Sequence, residues 1–206
     1  MKEYQKIQSI FKRDERTHKF IMGEYSLPEF EYLAENYWVG TEKVDGTNVR
    51  VNWDGEMVEF GGRTDNAQMP TFLLQRLQEL FTIEKFKSLY PDTPMTLYGE
   101  GYGARIQKGG GNYIPNGVDF ILIDVLIDEW WLKREDIEDV ANKLGVKVVP
   151  IVYSGELISA IEPVQKGLKS TFGDFMAEGM VLKPVVELKS RRGHRLITKM
   201  KTKDFE

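Results

Sequence analysis

The chain has 206 residues, no cysteine and a net charge of −4, with 41% of its residues hydrophobic and 12% aromatic. That length allows one substantial domain or two small ones, and the missing thiols exclude disulfides and thiolate metal sites, which fits a reducing compartment. No apolar run reaches membrane-spanning length and the N-terminus lacks a signal-peptide core, so a cytoplasmic protein with no membrane partner is expected.

Taken in order, Tyr4, Ile7, Ile10 and Phe11 can form one face of a short helix or strand, and residues 12–19 read as a charged loop. Phe20 to Tyr25 is a predicted strand. Pro28 to Glu35 is a predicted helix with Phe30, Leu33 and Ala34 inward. Thr41 to Arg50 then places Lys43 between Glu42 and Asp45, beside Gly46. Alternation from Val49 to Trp53, a turn at Asp54-Gly55 and a return from Met57 to Phe60 read as a hairpin. Arg63 follows it, so Lys43 and Arg63 are expected on one surface.

Thr71 to Tyr90 carries the longest helical pattern, with a break near Thr82 and an end at Pro91 to Pro94. Met95 to Glu100 is a predicted strand. Gly109 to Gly111, beside Lys108, is either a phosphate cradle or a plain surface loop. Val118 to Ile127 reads as a strand with Phe120, Leu122 and Asp124 on one face and Ile121, Ile123 and Val125 on the other. Arg134 to Leu144 is a predicted helix capped by Gly145. Val146 to Tyr153 reads as a strand, Gly155 to Leu168 as a helix and Glu178 to Pro184 as a strand.

Leu196 to Lys201 reads as a closing strand that puts Lys199 and Lys201 on one face. Residues 183–203 hold eight Lys or Arg against one Glu, whereas residues 1–182 hold 20 basic and 29 acidic side chains. The basic end either binds phosphates or is a solvated tail. The simplest architecture is one α+β domain spanning residues 1–206, with two packed, mainly antiparallel sheets flanked by helices.

Five stretches stand out together: Glu42-Lys43-Val44-Asp45-Gly46-Thr47-Asn48, Tyr98-Gly99-Glu100, Asp119 to Asp124, Glu178 to Lys183, and Lys199-Met200-Lys201. Each is weak alone. Their order and spacing, from about residue 36 to the end, resemble the nucleotidyltransferase motifs of ATP-dependent polynucleotide ligases and mRNA capping enzymes. The first stretch looks most like the phage RNA ligase 2 group.

The resemblance implies an adenylylation domain in which Lys43 attacks ATP and becomes lysyl-AMP. AMP then passes to a 5′-phosphate, and a 3′-hydroxyl seals the strand. It implies that Lys199 and Lys201 hold the α-phosphate, that Glu178 binds Mg²⁺ (or Mn²⁺), and that Glu100 contacts the ribose. It also implies that Phe120 stacks on adenine, Arg63 contacts phosphate or ribose, Asn48 helps recognise ends, and Glu42 lies at the adenine edge. Lys183 could reach a phosphate, although it lies five residues from Glu178.

Plainer readings stand beside these. Lys199 and Lys201 would guard an exposed strand edge, Glu178 would be a turn residue, and Phe120 would be core. Arg191, Arg192, His194 and Arg195 are candidates for the nucleic acid backbone, and Trp130 and Trp131 are expected to pack. The implied partner is a nucleic acid with 5′-phosphate and 3′-hydroxyl ends, RNA favoured over DNA. The family's usual OB-fold or helical C-terminal domain does not fit after Lys201, so a catalytic domain alone is expected: a natural minimal ligase, a truncated chain, or one part of a complex in which a partner protein or separate domain recognises ends. Three other readings remain: a DNA ligase domain, a capping-type guanylyltransferase, and a non-catalytic nucleic-acid-binding module.

Overall fold

The computed structural model describes residues 1–205. The elements are, in order, β1 (Gln8–Ser9), β2 (Phe11–Arg13), β3 (Phe20–Tyr25), α1 (Pro28–Tyr32), β4 (Tyr37–Glu42), β5 (Thr47–Trp53) and β6 (Val58–Gly61). Then come α2 (Thr71–Leu80), α3 (Ile83–Leu89), β7 (Met95–Gly103), α4 (Gly110–Tyr113), β8 (Val118–Ile127), β9 (Trp130–Trp131) and α5 (Arg134–Leu144). The last are β10 (Lys147–Val148), β11 (Ile151–Glu156), α6 (Ile161–Gln165), β12 (Gly179–Pro184) and β13 (Thr198–Lys201). The fold is α+β, with mainly antiparallel sheets and helices.

Two compact units emerge. Met1–Tyr4 and Asp45–Val149 make the first; Gln5–Val44 and the chain from Pro150 on make the second.

The first unit is built on a six-stranded sheet, β10-β8-β7-β5-β6 with β9 added to β8. β7 lies between β5 and β8, and all nine of its residues are buried. Val49, Val51 and Trp53 alternate onto one face, where they meet Leu73 and Leu77 of α2, Phe86 of α3 and Ile137 and Val140 of α5. Fully burying one such side chain contributes about 1.5–3 kcal/mol, which fixes the register of β5. The predicted break at Thr82 is a true helix start: its hydroxyl accepts from the Lys85 N–H at 3.2 Å and caps α3. Gly145 ends α5 at φ 73°, as its sequence position predicts.

The faces of β8 differ from simple alternation. Asp124 pairs with Tyr98 and Leu122 with Gly99, which leaves Ile123 as an extra, bulged residue. The bulge reverses the alternation. Val125 joins Phe120 and Leu122 in the core, and Asp124 turns to the other side, where it accepts from the Tyr4 hydroxyl. Tyr4, Tyr98 and Trp131 form an aromatic cluster on that side, with centroids 5.2–5.6 Å apart.

The second unit is a five-stranded sheet, β1-β13-β12-β4-β11, with the β2–β3 hairpin beside it. Trp38, Met180, Leu182 and Met200 point to one face and pack with Ile10, Phe30, Leu157 and Val164. The sequence does not signal β4 as a strand, because Gly40 interrupts its apolar pattern. Pro150 splits the predicted strand 146–153 into β10 and β11, one in each unit. The predicted helix from Gly155 is shorter than its periodicity suggests: β11 runs on to Glu156, and only Ile161–Gln165 is α-helical.

Candidate active site

In the second unit, alternation away from the core leaves Val39, Thr41 and Lys43 on the open side of β4 and its extension. The register places Val181 of β12 opposite both Thr41 and Lys199. Val181 and Lys183 therefore share that side with Lys199 and Lys201 of β13. Four lysines, 43, 183, 199 and 201, lie on one sheet face. Pairing between strands puts Lys183 there, so its distance in sequence from Glu178 is immaterial.

Glu178 stands at the entrance to β12. Its Oε2 accepts from Lys43 Nζ at 2.6 Å, and its Oε1 pairs with Lys201 Nζ. The three side chains are 17–23% exposed. Burial alone would raise the Glu178 carboxyl, but the two ammonium groups outweigh it and hold it below the usual carboxylate range. The following glycine is required. A Cβ at Gly179 would lie 2.0 Å from the Met200 carbonyl oxygen, so only glycine lets β12 approach β13 this closely. The Lys43 N–H also donates to the Gly179 carbonyl at 3.0 Å, locking the two segments together.

Glu42 is engaged differently. It is 1% exposed, and its carboxylate accepts from Ser170 Oγ at 2.6 Å, Thr171 Oγ1 at 2.7 Å and the Thr171 N–H at 2.8 Å. A carboxylate with both oxygens occupied inside the protein is not free to read a base. Glu42 anchors the 170–171 loop at the end of β4. The sequence gives no hint of this, since 128 residues separate the partners.

In the first unit, Asn48 and Glu100 sit opposite each other on β5 and β7, and Asn48 Nδ2 donates to Glu100 Oε2 at 2.9 Å. The Asp45-Gly46 turn is held by Tyr113, whose hydroxyl accepts from the Asp45 N–H at 3.2 Å, and by Gln107, whose amide donates to the Gly46 carbonyl at 3.0 Å. The glycine-rich loop thus braces this turn, and Gly110 packs directly on the Gly103 carbonyl.

Arg63 is exposed on the loop after β6. The buried arginine nearby is Arg50, which sequence reasoning passed over. It is 1% exposed and donates to the Gly62 carbonyl at 2.7 Å, the Met1 carbonyl at 3.0 Å and Asp65 at 2.9 Å, fixing the loop that carries Arg63.

Two expected contacts are corrected. Phe120 is 0% exposed and packs edge-on against Phe81 at 5.1 Å, so its ring offers no free face to a base. It faces α2 because the apolar side of β8 is the side the helices cover. Arg195 is 5% exposed and forks onto Glu187, with Nη2 at 2.9 Å from Oε2, which makes it a structural ion pair rather than a backbone contact. Trp131 packs as expected, while Trp130 is 77% exposed.

Among the described residues no cluster of three or more His, Asp or Glu forms a metal cage. Glu178 offers a single, partly exposed carboxylate, and Lys43 and Lys201 would have to swing off it to admit Mg²⁺, which commonly takes one or two carboxylates and completes its shell with water and substrate phosphates.

The architecture is that of a nucleotidyltransferase domain of the ligase type. The chain belongs to the RNA ligase family, whose model matches residues 36–201. Among solved structures it is similar to Naegleria gruberi RNA ligase. One variant of that enzyme, with ATP and Mn, aligns at TM-score 0.68 and 21% identity, over 86% of this chain and 52% of that one. The same enzyme with PPi aligns at 0.67 and 22%, over 86% and 53%. An apo variant aligns at 0.68 and 19%, over 95% and 57%. The chain thus spans about half the length of these relatives. Among curated proteins none matches.

Proposed function

We propose that this chain carries out nucleotidyl transfer for an ATP-dependent RNA ligase. The observation that carries the reading is Lys43 Nζ held 2.6 Å from Glu178, which also grips Lys201, on a sheet face lined by further lysines. The N. gruberi enzyme, solved with ATP and Mn and with PPi, supports the choice of nucleotide.

Lys43 attacks as its free amine. Its Nζ bonds to the α-phosphorus of ATP, the bond to the pyrophosphate oxygen breaks, and the Nζ proton is lost to solvent. Lys199 and Lys201 stand on the same face to offset charge building on the α-phosphate. Lys183 extends that field. Glu178 would hold the divalent ion, which would neutralise phosphate oxygens when bound. AMP then moves from Nζ to the 5′-phosphate of an RNA end. A 3′-hydroxyl attacks that adenylated phosphate, forms the phosphodiester and releases AMP. Asn48 and Glu100, already hydrogen-bonded to each other, offer an amide and a carboxylate suited to sugar hydroxyls.

Intact mass after incubation with ATP and Mg²⁺ is the direct test. The wild-type chain should gain one AMP, and Lys43→Ala none. A GMP adduct formed in preference to AMP would favour guanylyl transfer. No adduct with either nucleotide would end the enzymatic reading. Nicked RNA and DNA duplexes of matched sequence then decide the substrate.

A further inference from the structure

Beside the lysine face, the second unit has a groove of about 400 Å³ lined by Lys6, Arg13, Lys199, Lys201 and Lys203. It lies over the neighbouring strands β1 and β13 and the turn that follows β13. The two strands are joined by the parallel pairing of Gln8 with Thr198 and Ser9 with Lys199. The acidic lining residue is Asp204, which is 3% exposed and turned inward, accepting from Arg13 Nη2 at 2.8 Å and the Lys201 N–H at 3.0 Å. The groove therefore presents cations to solvent in a chain whose net charge is −4.

Neither Lys43 nor Glu178 lines it, yet Lys199 and Lys201 belong to both the groove and the reaction face. A ligand filling the groove touches the α-phosphate lysines and then continues past them, over Lys203 and Lys6. Both of these are exposed. Ser9, paired with Lys199, adds a hydroxyl that accepts from Arg13 Nη2 at 3.1 Å and can still donate to a phosphate or sugar oxygen. A row of cations with a neutral hydroxyl among them suits a repeating polyanion.

We propose that this groove carries an RNA strand away from the reaction centre, with Lys6 and Lys203 gripping backbone phosphates beyond Lys199 and Lys201. The inference rests on the ligase reading above and adds where the polynucleotide runs. The competing source of the same phosphate chemistry is the β,γ end of ATP.

Lys6→Ala/Lys203→Ala removes two exposed cations outside the adenylylation cluster. Binding of a labelled 5′-phosphorylated single-stranded RNA should weaken roughly ten-fold at low salt, and the slope of log K against log[salt] should flatten by about 1.4, since each single-strand contact contributes about 0.7. AMP-adduct formation should stay at the wild-type rate. Lys6→Arg/Lys203→Arg should restore RNA binding. If the alanine variant instead raises the ATP concentration needed for adduct formation and leaves RNA affinity intact, the groove holds the triphosphate and the proposal fails. It fails equally if neither quantity changes. RNA binding is read at equilibrium without turnover. A wild-type chain that bound RNA but formed no AMP adduct would sink the ligase reading and leave the groove's own result standing.

Discussion

In the five-stranded sheet, Lys43, Lys183, Lys199 and Lys201 share one partly exposed face, and two of them divide a single carboxylate. In the six-stranded sheet, Arg50 occupies the side of β5 away from the core, yet it is 1% exposed and bonded to two backbone carbonyls and Asp65. Both regions contain cations and carboxylates, and the difference lies in what is left for a ligand. A guanidinium forked into the protein is committed to structure. A lysine on a flexible stem, sharing its partner and partly open to solvent, can turn to a phosphate at little cost. Arg195 on Glu187 is a second case of the committed kind, within the same unit as the lysine face.

That contrast can be broken by substitutions that separate activity from stability. The largest expected effect is Lys43→Ala, which should abolish the AMP adduct by mass while leaving the denaturation midpoint close to wild type. A variant that unfolds would place Lys43 among the structural residues. Phe120→Ala should behave in the opposite way. It should lose about 3–5 kcal/mol of stability through a cavity next to Phe81, seen in urea unfolding, while keeping the affinity for ATP in the fraction that remains folded. A selective loss of nucleotide affinity with unchanged stability would restore the stacking role.

Arg195→Met should cost roughly 2–4 kcal/mol, somewhat less than a fully buried pair because Glu187 reaches solvent, and should leave adduct formation intact. Ser170→Ala should cost about 1–2 kcal/mol by leaving one Glu42 oxygen without its donor, measurable as a lower denaturant midpoint. The smallest effect is a pH dependence. The folded state holds the Glu178 carboxyl below its ordinary value of 4.5, so its contribution to stability is present above that value and is lost as pH falls through the lowered one. The stability gap between wild type and Glu178→Gln should therefore be widest near neutral pH and narrow only as the pH falls below the ordinary carboxylate value of 4.5. A gap independent of pH would contradict the ion-pair account.

Much of this was legible in the residues. The order of Lys43, Glu100, Glu178 and the Lys199–Lys201 pair is linear information. So are the helix break at Thr82 and the cap at Gly145, because turns and caps depend on neighbours in the chain. The failures share a different cause. Periodicity says that β8 has two faces but not which one the helices cover, so Phe120 could be read as a base platform. It cannot anticipate a bulge at Ile123, which exchanged Asp124 and Val125. Nor can it show that Glu42 is held by Ser170 and Thr171, or that Lys183 joins the other lysines through strand pairing. Those facts belong to register and long-range contact.

The pairing of β1 with β13 has a consequence for biosynthesis. Thr198 Oγ1 donates to the Gln8 carbonyl across 190 positions of sequence, so one border of this sheet joins residues translated long apart. Until β12 and β13 leave the ribosome, β4 has β11 as its only neighbour in the sheet, and its other edge carries bare amides and carbonyls. Ribosomes that stall before residue 179 would release chains with that edge uncovered, prone to cling to one another and without the strand that supplies Lys199 and Lys201.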